Sequence, residues 1–199
     1  MRKALISGTL LLLAGVALAN PGGTPPAGGT PPHGGTPLRA SPDFEIRQPS
    51  KPTVMLSSFK GQVVVMEFLF VRSPHCLRIA QTLKKLQGEL GSRGFQPVGV
   101  VFDPPTGSTA GIQAVSFMTQ YLGLTFPVGY AAKDEVDRYL GRAQNEILNI
   151  PQLVVIDRNG AIRATTGGRD GNSTLEDEEL LRALINSLLQ ERGPGADTR

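Results

Sequence analysis

One residue in the sequence is suited to redox chemistry: Cys76, the only cysteine among 199 residues. It ends the segment Ser73-Pro74-His75-Cys76, which directly follows an apolar run. Serine is a preferred N-cap and proline suits the first helical position, so this segment predicts the start of a helix. Cys76 would then lie in the first turn, where free backbone N–H groups favour a thiolate. The pattern predicts a thiol that can attack a peroxide or a disulfide.

A second interpretation makes Cys76 a silent core thiol. It shares a helical stripe with Ile79, Ala80 and Leu83, and free cysteine is among the residues most often buried. A lone cysteine forms no internal disulfide, so any disulfide would join this chain to another molecule. One cysteine and two distant histidines make no tetrahedral metal site, and no phosphate-binding glycine loop is present. We therefore expect neither a metal nor a cofactor.

Glu67 interrupts the apolar run that precedes the cysteine segment, six residues before Ser73. A buried carboxyl at this position would have a raised pKa and could relay a proton to or from the Cys76 sulfur. The alternative is that Glu67 faces a sheet edge or is neutralised by a lysine or arginine. Leaving a charge buried and unpaired would cost several kcal/mol, which favours a functional role.

The elements that must position these residues alternate between strand and helix, which indicates an α/β sheet. Strands are predicted at residues 62–70, 95–102, 153–156 and 161–165, with a shorter extended piece at 125–128. Helices are predicted after Ser73 and at residues 112–122, 135–140 and 176–190. The last helix is expected to turn five leucines inward, namely Leu180, Leu181, Leu184, Leu188 and Leu189.

The ends of the chain differ from this predicted domain, which covers residues 41–193. Residues 1–19 have the pattern of a secretory signal peptide, with Arg2 and Lys3 before an apolar run and small residues at the end. The run is short for a spanning helix, so we expect an extracytoplasmic protein, periplasmic or secreted, near a membrane only before cleavage. Residues 20–40 repeat Gly-Gly-Thr-Pro-Pro and predict a tether, and residues 194–199 a flexible tail. Without Arg2 and Lys3 the chain is nearly neutral, which argues against nucleic acid binding.

Three local patterns, in this order along the chain, resemble the thioredoxin superfamily. They are the cysteine segment after a buried strand, Ile150-Pro151 before another strand, and Asp157-Arg158-Asn159-Gly160 after it. The resemblance is to exported redoxins, TlpA/ResA-like proteins or AhpC/TSA peroxiredoxins, and implies a thioredoxin-like fold with a central mixed sheet flanked by helices. It also implies that Pro151 is the cis-proline facing the active site, where Ile150, Pro74 and His75 would contact substrate.

The sequence departs from the superfamily at one decisive position. Members usually carry Cys-x-x-Cys, but the first cysteine, the attacking nucleophile, is Ser73 here. A serine hydroxyl does not attack a disulfide at neutral pH, so exchange through an internal disulfide is excluded. Ser73-x-x-Cys76 is similar to the Thr/Ser-x-x-Cys of peroxiredoxins, although their proline four residues earlier is Leu69 in this chain.

Further site residues are implied by the resemblance alone. The peroxiredoxin likeness implies an arginine that holds the thiolate, for which Arg169 and Arg72 are candidates, although arginine usually lies on the surface. Glu67 stands where thioredoxins carry their buried acid. His75 resembles the histidine of Cys-Pro-His-Cys proteins, but a lone exposed histidine is more often inert.

Two functions follow from these observations. The first is single-thiol redox chemistry at Cys76, with a peroxide or protein disulfide as substrate and an external thiol or thioredoxin-like protein as reductant. The second is a redox-inactive thioredoxin-like domain that binds extended polypeptide or a partner protein beside Pro151. The electron donor, the choice of substrate and the oligomeric state stay open.

Overall fold

A computed structural model describes residues 39–102, 108–143, 146–166, 173–191 and 193. The predicted signal peptide, most of the predicted tether, the predicted tail and Arg169 lie outside these residues. Within the described ranges, no helix is long and apolar enough to cross a membrane.

A mixed six-stranded sheet forms the centre of the domain, as predicted. Its strands are β1 (Arg39–Ala40), β4 (Val63–Leu69), β5 (Phe95–Val101), β6 (Val128–Tyr130), β7 (Gln152–Ile156) and β8 (Ala161–Thr165), in the order β1-β8-β7-β4-β5-β6. The pairs β4–β5 and β5–β6 are parallel, whereas the other pairs are antiparallel. A separate two-stranded pair consists of β2 (Glu45–Ile46) and β3 (Val54–Met55).

In the described part of the chain, four helices flank this sheet. They are α1 (Pro74–Leu90), α2 (Ser108–Leu122), α3 (Lys133–Leu140) and α4 (Glu178–Gln190). Short 3₁₀ turns cover Leu56–Phe59, Gly91–Arg93 and Ser173–Glu176. The buried stripe of α1 is the one that the sequence predicts: Cys76, Ile79, Ala80, Leu83, Leu86 and Leu90.

The central strand β4 is buried along its whole length because side chains pack on both of its faces. One face belongs to an apolar core shared with α1, α2 and α4, and contributes Val63, Val65 and Leu69. The other face belongs to a second core shared with α3, and contributes Val64, Met66 and Phe68. Alternation along the strand places Glu67 on the first face, toward α1.

The hairpin between β7 and β8 forms at Asp157–Gly160, as predicted. Gly160 has a φ of +83°, which only glycine adopts without strain, and its N–H bonds to the Asp157 carbonyl. Two oxygens of the buried Asp157 carboxylate accept from the N–H groups of Asn159 and Ala161 and from Arg163 Nη1. The turn and the first residues of β8 therefore supply a hydrogen-bond donor to each oxygen of the Asp157 carboxylate.

The structure differs from the predicted elements in five places. Arg39 and Ala40, assigned to the tether, pair with β8 as an edge strand. Helix α2 begins at Ser108 rather than residue 112, and β6 begins at Val128, where the predicted extended piece ends. Helix α4 begins at Glu178 after a 3₁₀ turn. The prediction for Leu180 is wrong: it is 51% exposed, and Ile185 packs in the core instead.

Candidate functional site

The first turn of α1 is built as the sequence predicts. Ser73 has extended backbone geometry, and its Oγ accepts a hydrogen bond of 3.3 Å from the Cys76 N–H. Pro74 occupies the first helical position, where its missing N–H has no cost. The Ser73 N–H donates to the Phe70 carbonyl at 3.1 Å, so a tight turn joins the end of β4 to the helix.

Cys76 lies at the inner side of this turn, with 0% of its surface exposed. Burial raises the pKa of the Cys76 thiol, and the nearby charge of Glu67 acts in the same direction. The Ser73 hydroxyl and the backbone at Phe70 lower the pKa, but not enough to offset burial. Desolvation therefore outweighs the effects that favour a thiolate, and the net direction is toward the neutral thiol.

Glu67 has apolar neighbours on every side within the sheet. Val65 and Leu69 flank it on the same face of β4, and its cross-strand partners are Gly99 on β5 and Leu153 on β7. None of these side chains can donate a hydrogen bond. Glu67 is 0% exposed, and among the described residues neither of its carboxyl oxygens has a hydrogen-bond partner. It therefore neither faces a sheet edge nor pairs with a described lysine or arginine.

Burial without donors raises the pKa of the Glu67 carboxyl well above its usual range. Since the charge of Glu67 also raises the pKa of Cys76, the two groups interact across the space between β4 and α1. Both groups favour their neutral forms, and ionising one makes ionising the other harder. The two groups act on each other through charge, since neither Glu67 oxygen has a hydrogen-bond partner among the described residues.

The predicted cis-proline is present, since the Ile150-Pro151 peptide bond is cis. Phe68 pairs with Gln152 in register, so continuation of the antiparallel ladder places Pro151 beside the end of β4, where the cysteine segment begins. Thr166, which the sequence analysis missed, holds this loop. Its buried Oγ1 accepts from the Leu153 N–H at 2.7 Å and donates to the Pro151 carbonyl at 3.3 Å.

His75 lies at the surface end of the first turn of α1 and contacts a residue that the sequence did not single out. Its Nε2 lies 3.0 Å from Glu176 Oε2, and both side chains are partly exposed. No sequence signal connects the two residues, because they lie far apart along the chain and Glu176 looks like any acidic residue before a helix. The pair joins the first turn of α1 to the 3₁₀ turn before α4.

The structure thus brings together Glu67, Ser73, Pro74, His75, Cys76, Ile150 and Pro151. Of the two candidate cations, Arg72 is exposed and Arg169 lies outside the described residues. No cluster of three or more potential metal ligands occurs in the described part of the chain. Three surface cavities of about 190, 210 and 260 Å³ are lined by other residues, so none of them is a substrate pocket at Cys76.

Comparison with protein families gives a match of residues 38–165 to the AhpC/TSA family. The chain is similar to several solved structures. One is a thiol:disulfide interchange protein of the thioredoxin family from Chlorobium tepidum TLS, with 21% identity and a TM-score of 0.61. This match covers 77% of this chain and 97% of that chain. The thioredoxin domain of a thiol-disulfide oxidoreductase from Bacteroides vulgatus has 22% identity, a TM-score of 0.54, and coverage of 71% and 96%. A thiol:disulfide interchange protein from Bacteroides sp. has 19% identity, a TM-score of 0.57, and coverage of 77% and 92%. These structures show the thioredoxin-like fold, and a search of curated proteins gives no match.

Proposed function

Because the chain belongs to the AhpC/TSA family of thiol redox proteins, we propose that it is a redoxin that works through the single thiol of Cys76. One observation carries this proposal: Cys76 lies in a Ser73-capped helix turn, and the buried Glu67 carboxyl on the strand that precedes it has no hydrogen-bond partner among the described residues. A carboxyl without donors in the centre of a sheet is costly. Strongly perturbed titratable groups concentrate at functional sites, which supports a chemical role for this one.

With a peroxide as substrate, the Cys76 sulfur attacks one oxygen of the O–O bond. The S–O bond forms as the O–O bond breaks, which gives a sulfenic acid and an alcohol or water. The protonated Glu67 carboxyl gives its proton to the leaving oxygen while its other oxygen takes the proton of the thiol, so the carboxyl is restored and no net proton is consumed. Two equivalents of an external thiol then restore the protein, first forming a mixed disulfide with release of water and then a free disulfide.

A protein disulfide is the other substrate that this site can attack. The Cys76 sulfur would displace one sulfur of the disulfide and form a mixed disulfide, with the Glu67 carboxyl giving a proton to the leaving sulfur as it takes the proton of the thiol. Since Ser73 cannot resolve that bond, release needs an external thiol or a thioredoxin-like reductant. In both reactions Ser73 caps the helix, and Pro151 with Ile150, Pro74 and His75 borders the approach to the sulfur. Arg169 is our candidate for the cation that would stabilise the thiolate.

We also propose that this chemistry takes place outside the cytoplasm. The support is the pattern of residues 1–19, with two basic residues, an apolar run and small residues at its end. N-terminal sequencing of the mature protein should find Asn20 as the first residue, and an intact N-terminus on the exported chain would contradict cleavage.

A second function is favoured by a specific observation, the complete burial of Cys76 and its raised pKa. A thiol that stays neutral and shielded is unreactive. The chain would then be a redox-inactive module that binds extended polypeptide beside Pro151. Ile147, four residues earlier in the chain, has a side chain that is 87% exposed.

Peroxide consumption by the purified chain separates the two functions. The chain, Cys76→Ala and Glu67→Gln are each mixed with hydrogen peroxide and dithiothreitol, and sulfenic acid is trapped and located by mass spectrometry. We expect turnover in the unsubstituted chain, none in Cys76→Ala, and slower turnover in Glu67→Gln. A chain that consumes neither peroxide nor a test disulfide, with Cys76 unmodified, would contradict the redox proposal and favour the binding module.

A further inference from the structure

Helices α1 and α4 pack side by side through evenly spaced polar contacts. Lys85 Nζ bonds to Glu178 Oε1 at 2.6 Å, Arg182 pairs with Glu89, and Arg93 Nη1 bonds to Asn186 Oδ1 at 2.6 Å. Each successive contact lies four residues further along both segments, and the third starts from the 3₁₀ turn that follows α1. One row of α1 therefore runs in parallel beside one row of α4.

This row ends before the site. Helix α4 begins at Glu178, opposite Lys85, so the N-terminal turns of α1, which contain Cys76, extend beyond the end of α4. The 3₁₀ turn Ser173–Glu176, which we call the cover segment, contacts the first of these turns through the pair of His75 and Glu176. His75 pairs with Glu176 instead of following the spacing of the other contacts, which shows that the chain folds back toward the cysteine turn.

The cover segment also contributes to the core around the thiol. Leu175 is only 2% exposed and belongs to the same apolar core as Cys76, on the α1 side of the sheet. The segment thus has an inner contact through Leu175 and an outer contact through Glu176. Among the described residues, it is the part of the chain that lies over the N-terminal turn of α1 from the direction of α4.

We propose that the cover segment controls access to Cys76, and that Glu176 is the positioning residue that fastens it through His75. This inference deepens the proposed function by naming what admits a substrate to a thiol with no exposed surface. The contact between His75 and Glu176 can open at little cost, because the two side chains are 38% and 32% exposed and contacts between partly exposed side chains are weak. Helix α4 itself stays anchored by its row of contacts with α1, so opening is confined to the site.

The test is the rate at which N-ethylmaleimide alkylates Cys76 in the folded chain. Glu176→Gln weakens the contact between Glu176 and His75 with little change in shape, and we expect alkylation to become about two- to five-fold faster, the factor that the loss of a partly exposed polar contact supports. Glu178→Gln is the matched control, because Glu178 also joins α4 to α1 but at Lys85, away from Cys76. It should leave the rate unchanged.

Three further readouts separate access from other causes. If access is the cause, Glu176→Gln multiplies the alkylation rate by one factor at every pH from 7 to 9, whereas a changed thiol pKa would shift the profile along the pH axis. Low urea should change the rate little, because opening is local and exposes little surface. His75→Gln should raise the rate as Glu176→Gln does, and the double variant should be no faster than either single variant.

Equal effects of Glu176→Gln and Glu178→Gln, no effect of either, or a rate that follows global unfolding in urea would each overturn the cover segment. Alkylation does not depend on turnover, so the two proposals fail separately. Faster alkylation of Glu176→Gln without peroxide or disulfide consumption would uphold the cover segment and contradict the redoxin function. Peroxide consumption by the unsubstituted chain, together with an unchanged alkylation rate in Glu176→Gln, would uphold the redoxin function and contradict the cover segment.

Discussion

Two buried carboxylates, one at the end of a strand of the central sheet and one in its middle strand, differ in their hydrogen bonding. Asp157, directly after β7, is 5% exposed and accepts hydrogen bonds from two backbone N–H groups and from Arg163, at 2.9–3.0 Å. Glu67, in the middle of β4, is 0% exposed and has no hydrogen-bond partner among the described residues. The first carboxylate shapes a hairpin, and the second lies under the only cysteine.

The difference follows from where each residue stands in the sheet. A hairpin leaves backbone N–H groups free, and the alternation of β8 brings Arg163 to the same side as Asp157. In the centre of a sheet the backbone donors are used by the ladder, so a carboxyl depends on its side-chain neighbours. The neighbours of Glu67 are apolar, which makes Glu67 a cost to stability that chemistry at Cys76 would explain.

The largest expected effect on stability comes from removing the Asp157 carboxylate, which accepts three hydrogen bonds. Asp157→Ala should lower the free energy of unfolding by about 3 kcal/mol, because it removes a buried ion pair and two hydrogen bonds of the turn. Urea denaturation measures this difference, with Glu179→Gln as a control at a side chain that is 80% exposed. A loss below about 1 kcal/mol would mean that the hairpin does not depend on this carboxylate.

Glu67→Gln should instead raise the free energy of unfolding, by an amount that depends on pH. The pKa of Glu67 is raised in the folded state, so the carboxyl is protonated there at pH values at which it is already ionised in the unfolded chain. Stability is therefore highest below the unfolded-state pKa of about 4.3 and falls with rising pH, by up to about 1.4 kcal/mol per unit, until the folded-state pKa is passed.

The glutamine variant has no such proton to lose. Urea denaturation between pH 4 and 8 should show its free energy of unfolding close to that of the unsubstituted chain at pH 4 and higher by more than about 1 kcal/mol at pH 8. Parallel curves for the two proteins across this range would contradict a buried, protonated Glu67. Working below pH 8 keeps the titration of Cys76 out of the comparison.

A smaller effect should reach Cys76 itself. The charge of Glu67 is one of the causes that raise the pKa of the thiol, with burial as the largest. Glu67→Gln should therefore lower the midpoint of the alkylation pH profile, while leaving it above that of an exposed cysteine. Asp157→Asn, whose site lies elsewhere in the sheet, should leave the midpoint unchanged, and an equal shift in both variants would point to a general change in structure.

The sequence was most informative where a pattern repeats. The apolar run of β4 and the stripe of α1 are confirmed, because burial on both faces of a strand and on one side of a helix leaves a periodic signal. The capping role of Ser73 is local and is confirmed as well. In α4 several adjacent leucines fit more than one stripe, and the structure buries Ile185 while leaving Leu180 exposed.

Features that depend on distant contacts gave no such signal. Strand β1 has two residues and exists because β8 pairs with it, so Arg39 and Ala40 looked like tether. The pairing of His75 with Glu176 and the hold of Thr166 on the Pro151 loop arise only after the chain has folded. Whether the Cys76 thiol ionises depends on the balance of burial and helix-terminus effects, which a sequence pattern does not weigh.

The rate of sulfenic acid formation at Cys76 with hydrogen peroxide, compared between the unsubstituted chain and Glu67→Gln at pH 7, tests the central claim most directly. If Glu67 moves the proton, the variant should react at least about tenfold more slowly although its thiol ionises more readily. A variant that reacts as fast or faster would show that Glu67 acts on Cys76 only through its charge, and would contradict the account.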